Sequence, residues 1–167
     1  LLIDEKNELG GATIYQNNVF NKIDNQSSSD WIKKEIQELK NVKNLEVKTR
    51  TSVAAFHGYN YLLARENLTD HLEKKDKQGK VRQRLLKIRA KKVILATGAL
   101  ERPLIFNNND RPGIMLSSAI KKYANFYGVV SGKKNVFFTN NDSAYESALC
   151  LHNKGIKVET IIDIREN

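Results

Sequence analysis

Residues 91–103, KKVILATGALERP, set the terms for the rest of the chain. A run of apolar β-formers, Val93, Ile94 and Leu95, ends in Ala96, Thr97 and Gly98, and a polar loop with Glu101, Arg102 and Pro103 follows. The pattern predicts a buried strand feeding a tight turn. Gly98 has no Cβ and can take positive φ, while Thr97 offers a hydroxyl beside its amide, so a flat ring or a phosphate can approach the main chain there. Taken alone, the same residues also suit an ordinary core strand ending in a glycine turn. The choice rests on what accompanies them.

A chain of 167 residues with 40% hydrophobic content has room for one sizeable core. The longest apolar runs, residues 93–96 and 160–162, fall far short of a membrane span, and no basic-then-apolar leader opens the sequence. The expectation is a cytoplasmic chain without a membrane segment. Cys150, the single cysteine, sits in an apolar helical pattern and reads as a small core residue, since one thiol makes neither an internal disulfide nor a thiolate cluster. His57, His71 and His152 show no ligand spacing, so no metal is expected. The net charge is +9, much of it within residues 74–92. No aromatic residues are interleaved there for base stacking and no recognised nucleic-acid module surrounds it, so nucleic-acid binding is not expected. Steering of an anionic ligand, or contact with an acidic partner subunit, suits the charge better.

The chain opens with a short apolar strand, Leu1, Leu2 and Ile3, ending in Asp4 and Glu5, and reaches Gly10 and Gly11 soon after. In a dinucleotide-binding βαβ unit, an acid at the end of the second strand accepts hydrogen bonds from the adenosine ribose. Asp4 or Glu5 would be that acid. The strand, glycine-rich turn and helix that precede it in such a unit are not in the sequence, so the chain reads as a piece of a longer polypeptide. An acidic turn after an edge strand is the plainer alternative.

Residues 17–29 are polar and predict an exposed loop. Ser29 or Asp30 then caps a helix to about Leu39, whose Trp31, Ile32, Ile36 and Leu39 form an apolar stripe. Residues 45–50 alternate like a half-buried strand, and Val53 beyond them can present backbone groups to an adenine edge. Residues 51–90 predict an inserted β-meander with turns at Gly58 to Asn60 and Lys77 to Lys80. A helix capped by Ser117 or Ser118 follows, closed by Gly128. Residues 133–167 then repeat a strand, a helix and a strand ending in Asp163. The turn of this second unit, Thr139-Asn140-Asn141-Asp142-Ser143-Ala144, holds no glycine, and Asp142 puts negative charge where a pyrophosphate would rest. Asp142 is expected to cap the helix, and the unit to be the relic of a nucleotide site.

The series IDEKNELGG, RAKKVILATGALERPLIFNNNDRPGIM and FFTNNDSAYESAL, in that order, resembles the α subunits of heterotetrameric sarcosine oxidases, with more distant likeness to amine- and opine-oxidising flavoenzymes. The resemblance runs over essentially the whole chain. It implies an α/β fold, a glutathione-reductase-like FAD/NAD(P)-binding Rossmann module with an inserted β-meander, incomplete at both ends. Residues 1–128 would be part of the dinucleotide-binding domain, with the meander at about 51–90, and residues 129–167 a partial, degenerate second βαβ unit. In such oxidases the α subunit holds NAD where relatives hold FAD, while FAD and FMN belong elsewhere in a complex with β, γ and δ subunits. That complex demethylates sarcosine to glycine, forming hydrogen peroxide and methylenetetrahydrofolate. Carried over by motif, Asp4 and Glu5 meet the adenosine ribose with Lys6 beside them. Gly10, Gly11 and Ala12 line the pyrophosphate, Val53 the adenine, and Ala96, Thr97 and Gly98 give the close backbone approach. No amine-oxidising residue is assigned.

Two other readings stay open at the level of sequence. One is an FAD-binding subunit of an amine or opine dehydrogenase, because NAD and FAD share the adenosine half that these residues would contact. The other is a non-catalytic scaffold with a decayed nucleotide site.

Overall fold

The structure, a computed structural model, describes residues 1–15 and 22–166. In chain order its elements are β1 (Leu2–Ile3), a 3-10 turn (Gly11–Tyr15), β2 (Lys22–Ile23), β3 (Gln26–Ser27), α1 (Ser28–Lys40), β4 (Val47–Lys48), β5 (Thr51–His57), β6 (Tyr61–Asn67), α2 (Lys74–Lys77), β7 (Gln83–Arg89), α3 (Ser117–Lys122) running into a π-helical turn (Tyr123–Tyr127), β8 (Lys134–Thr139), α4 (Ser143–Asn153) and β9 (Lys157–Asp163). They belong to two units: Leu1–Gly11 with Lys34–Thr97, and Ala12–Lys33 with Gly98–Asn167.

In the first unit β1 and β4 pair in parallel, Leu2 opposite Val47 and Ile3 opposite Lys48. Strands β5, β6 and β7 form an antiparallel meander, as the alternating sequence predicts. Its first turn places Tyr59 and Asn60 at φ 58° and 53°, and a bulge between Val53 and Ala55 bends β5. One face of the meander buries Leu62 and Ala64. From β4, the Lys48 ammonium reaches Glu46 at 3.0 Å and Glu66 of β6 at 3.3 Å, and these bonds raise its pKa. The parallel pair is thereby tied to the meander.

The buried strand expected at residues 93–96 is not formed. Those residues lie outside any strand, with Ile94 91% and Leu95 68% exposed. Ala90 still donates to the Asn60 carbonyl and the Lys91 carbonyl still accepts from the Asn60 amide, but the chain then leaves the meander. A strand buried on both faces needs a ladder neighbour to take its amides and carbonyls. Among the described residues none lies beside Val93 to Ala96. The parallel strands accordingly form two separate pairs, β1 with β4 and β8 with β9.

The second unit holds the best-packed core. Parallel strands β8 and β9 are joined through α4, and Ala124, Phe137, Ala144, Ala148 and Leu151 pack together against Ile120, Ile156, Val158 and Ile161. Leu151 is 1% exposed, a burial contributing about 1.5–3 kcal/mol. Cys150 is fully buried, as its pattern suggests, with its thiol donating to the Asn125 side-chain oxygen at 3.2 Å. The Asn125 amide in turn donates to the Tyr15 carbonyl at 2.8 Å.

Helix starts depart from expectation in an instructive way. Of the polar stretch at 17–29, residues 17–21 lie outside the described residues. The rest is not an exposed loop, because β2 and β3 form a hairpin turning at Asp24 and Asn25, both with positive φ. Ser28 is fully buried as the first residue of α1. The Ser27 hydroxyl, rather than Ser29 or Asp30, accepts the Asp30 amide at 3.1 Å, and it donates to the Asp30 carboxylate at 2.6 Å. Ser27 and Asp30 have the i, i+3 spacing of a capping box, with the acid bound to the hydroxyl of Ser27 in place of its backbone amide.

Candidate nucleotide site

The end of β1 is fixed by main-chain bonds. Leu2 donates to the Glu46 carbonyl and Asp4 to the Lys48 carbonyl, while Thr51 and Arg50 donate back to the carbonyls of Asp4 and Lys6 at 2.9 and 2.7 Å. Asp4 is therefore held at the carboxyl edge of a parallel pair, against the start of β5. Its Oδ1 accepts the Lys6 amide at 2.8 Å, and among the described residues Oδ2 has no partner. Glu5 and Lys6 are exposed beside it. A half-buried carboxylate with one oxygen committed to positioning and one free is suited to accept hydroxyl donors.

Gly10 and Gly11 take φ values of 119° and 54°. A Cβ built on Gly11 meets no atom within 4 Å, so the position needs glycine for its backbone rather than for space inside the fold. Gly98 shows the same combination at φ 71°. Val53 is 44% exposed on β5, opposite Ala64. Ala96 and Thr97 are exposed, outside any strand or helix, where the first unit ends. Of the ten residues singled out from sequence, Asp4, Glu5, Lys6, Gly10, Gly11, Val53, Ala96 and Thr97 belong to the first unit, and Ala12 and Gly98 to the second. Direct main-chain bonds link the Asp4 to Lys6 corner with the strand that carries Val53.

A cleft of about 390 Å³ opens in the first unit between Glu8, Leu9, Ile36, Leu39, Lys40, Val47 and Thr49. Ile36 and Leu39 of α1 line it, and it includes none of the ten residues. No group of three or more His, Cys, Asp or Glu is placed to hold a metal ion among the described residues.

At the corresponding edge of the second unit, acceptors are already occupied. Arg165 donates from Nε to both carboxylate oxygens of Asp163, at 3.0 and 3.1 Å, and from its terminal nitrogen to Oδ2 at 2.6 Å. The Tyr145 hydroxyl adds a bond of 3.0 Å to Oδ2. Arg165 also bridges to Asp142 at 2.8 Å. The Arg165 bonds hold the Asp163 carboxyl far below the ordinary carboxylate range, and the Asp163 bond pushes the Tyr145 hydroxyl up. Asp142 stands at the α4 N-terminus but makes no cap bond, contrary to expectation, because its carboxylate turns to Arg165. Asn141 takes up the local capping work instead, its side-chain oxygen accepting the Ser143 amide at 3.0 Å.

Sequence reading also missed Glu101. Its Oε1 accepts the Ser117 amide at 3.0 Å and hydroxyl at 2.7 Å, and its Oε2 accepts the Ser118 amide at 2.7 Å. Glu101 thus supplies from 16 residues away the cap expected from Ser117 or Ser118 themselves. Burial pushes its carboxyl up, but the bonds from Ser118 and Ser117 outweigh that and hold it below its ordinary value.

No protein-family model matches the chain. It is 41% identical over 165 residues to sarcosine oxidase subunit alpha of Corynebacterium sp. (strain P-1), a match covering 99% of this chain and 17% of that protein. It is 40% identical over 167 residues to the same subunit of Corynebacterium sp. (strain U-96), again covering 17% of that protein. To that of Rhizobium meliloti (strain 1021) it is 36% identical over 165 residues, 16% of that protein. Among solved structures, L-proline dehydrogenase from P. horikoshii superposes with a TM-score of 0.74 at 26% identity, over 99% of this chain and 31% of that one. Along essentially its whole length, the chain therefore corresponds to one segment of sarcosine oxidase α subunits, spanning about a sixth of these curated relatives.

Proposed function

We propose that this chain forms part of the nucleotide-holding region of a sarcosine oxidase α subunit, and that the nucleotide is NAD. The observation that carries the reading is Asp4, fixed at the carboxyl edge of β1 with Oδ2 free for a ribose hydroxyl. Glu5 and Lys6 flank the ribose, and the backbone of Gly10, Gly11 and Ala12 lines the pyrophosphate. Val53 borders the adenine, and Ala96, Thr97 and Gly98 give the close main-chain approach. The positive φ and open surroundings of Gly11 and Gly98 fit a ligand lying against bare backbone. When bound, NAD supplies a nicotinamide able to accept or return hydride. The residues of this chain bind and orient its adenosine half.

In this reading the complete polypeptide works with β, γ and δ subunits, and FAD and FMN sit elsewhere in the complex. The complex oxidises sarcosine to glycine in the cytoplasm. Among the described residues, no helix is long and apolar enough to cross a membrane. A second reading, with FAD in the same pocket of an amine dehydrogenase, is favoured by the likeness to L-proline dehydrogenase.

The test is to purify the complete polypeptide with its partner subunits, separate it, denature it and identify what it releases by mass spectrometry and absorbance. NAD without flavin is the expected result. FAD would establish the second reading, and a reproducibly empty chain would leave only a scaffold.

A further inference from the structure

The meander carries a face that nucleotide binding does not use. Alternation along β6 sends Leu62, Ala64 and Glu66 to one side and Tyr61, Leu63 and Arg65 to the other. On that second side, register sets His57, Tyr61 and Arg89 in one row across the sheet, Ala55, Leu63 and Lys87 in the next, and Ser52, Arg65 and Leu85 in the third. Arg65, Lys87, Arg89 and His57 are all exposed, and so is Leu85, at 62%. Leu63 and Tyr61 form a half-buried floor between them.

The charges on this face are uncompensated. Glu66, the carboxylate of β6, lies on the opposite side with Lys48 and Arg84. Asp70, beyond the third row, is engaged by Arg82 at 2.6 Å and Gln83 at 2.8 Å. Arg65 and Lys87 have no carboxylate partner among the described residues, and Arg89 rests 5.7 Å from the centroid of the Tyr61 ring, which the His57 ring meets from the other neighbouring strand at 5.9 Å. Like charges on neighbouring strands repel, and nothing within the sheet offsets it. A face with an apolar floor, an exposed leucine and a rim of two guanidinium groups and an ammonium matches carboxylates that accept charged hydrogen bonds around an apolar contact. Arg89 lies over Tyr61, the one tyrosine of the three rows, and the face carries no series of aromatic side chains on which successive bases would stack.

We propose that this face is the docking surface for an acidic patch of another subunit, whose carboxylates meet Arg65, Lys87 and Arg89 around an apolar side chain seated on Leu63 and Leu85. The proposal rests on reading the chain as part of a multi-subunit oxidoreductase.

Carbodiimide coupling of the purified complex tests it, because the reagent joins an amine directly to a carboxylate. Lys87 is expected to couple to Asp or Glu of a different subunit, and 1 M salt during coupling is expected to suppress the product, since screening then acts within about 3 Å. The triple variant Arg65→Glu, Lys87→Glu, Arg89→Glu should lose that subunit on size-exclusion chromatography. The triple Gln variant, which removes charge without reversing it, should weaken retention at least tenfold while its circular dichroism and nucleotide content stay unchanged. An intact complex in which Lys87 couples to no other subunit overturns the docking face and leaves the subunit reading standing. A complete polypeptide that elutes alone overturns both. Coupling only to a second copy of the chain, co-elution with nucleic acid, or charge-dependent binding to phosphatidylserine vesicles would each assign the face to another occupant and overturn the proposal.

Discussion

Asp4 closes β1 and Asp163 closes β9, and each strand is half of a parallel pair. Each carboxylate also accepts the backbone amide two residues on, Lys6 at 2.8 Å and Arg165 at 3.1 Å. The two corners are alike to that point. They then part, because the Lys6 side chain makes no ion pair with Asp4, whereas the Arg165 side chain folds back onto both oxygens of Asp163 and reaches Asp142. The glycines part in the same sense. Gly10 and Gly11 follow β1 with positive φ, whereas the turn of the second unit carries a Cβ at every position from Thr139 to Ala144. The same strand-end chemistry thus leaves acceptors open in one unit and saturates them from within in the other. Topology alone does not decide which corner is available to a nucleotide.

The sharpest way to break that contrast is to remove one carboxylate at a time from the complete polypeptide. Asp4→Ala deletes hydrogen bonds to a charged acceptor, worth roughly 1.5–3 kcal/mol, so retained nucleotide should bind about 10- to 150-fold more weakly by titration calorimetry. Asp163→Ala should leave that affinity within twofold. Equal losses from both would mean that the corners are not functionally distinct. Next in size is Gly11→Ala, which forces a Cβ into φ 54° at a cost of roughly 1–2 kcal/mol. It should weaken nucleotide affinity or folding stability by that amount, and an unchanged variant would remove Gly11 from the site.

Much of this contrast is legible in sequence, and the part that is not has a physical reason. The missing glycines of the second turn, the acids ending β1 and β9, and the alternation of the meander are local patterns, and each meets its element in the structure. The apolar run at 93–95 was legible only as a strand in need of neighbours. Residue type reports a propensity, but a ladder requires a second strand, and the described residues place none there. The caps were missed for a related reason. Ser117 carries the residue type of a cap, yet it is the carboxylate of Glu101, 16 residues away, that takes the helix amides. Likewise Asp142 has the right identity and position for a cap, and Arg165, held by β9 and its turn, draws its carboxylate away. Side-chain partners brought in by tertiary structure override local preference.

Glu101 sharpens the comparison as a second saturated carboxylate, half-buried as Asp163 is, but filled by helix amides and a serine hydroxyl rather than by an arginine. Glu101→Gln should destabilise the protein by about 1 kcal/mol through loss of the charged cap on α3. The pH dependence has a definite sign. Because the folded-state carboxyl is held below its ordinary value, its stabilisation is complete above about pH 4.3, the unfolded value, and fades as pH falls through the lower folded value. Melting temperatures of wild type and variant measured from pH 7 downward should therefore converge below pH 4. A constant difference would assign the effect to shape rather than charge.

The smallest effect is expected at Arg165. Its bonds to Asp163 and Asp142 lie at the surface, where solvent screens them, so Arg165→Ala should shift the melting temperature little. Its signature is in titration instead. With the guanidinium gone, Asp163 loses the partner that holds its carboxyl far below the usual range, and its side-chain carbon resonance should titrate at a pH well above the wild-type value. The freed corner should still bind no NAD, because Asp142 remains at the helix N-terminus and the turn keeps its Cβ atoms. If NAD did bind to Arg165→Ala at a second site, the arginine latch by itself would be what distinguishes the two corners, and the glycines of the first would matter less than their backbone angles suggest.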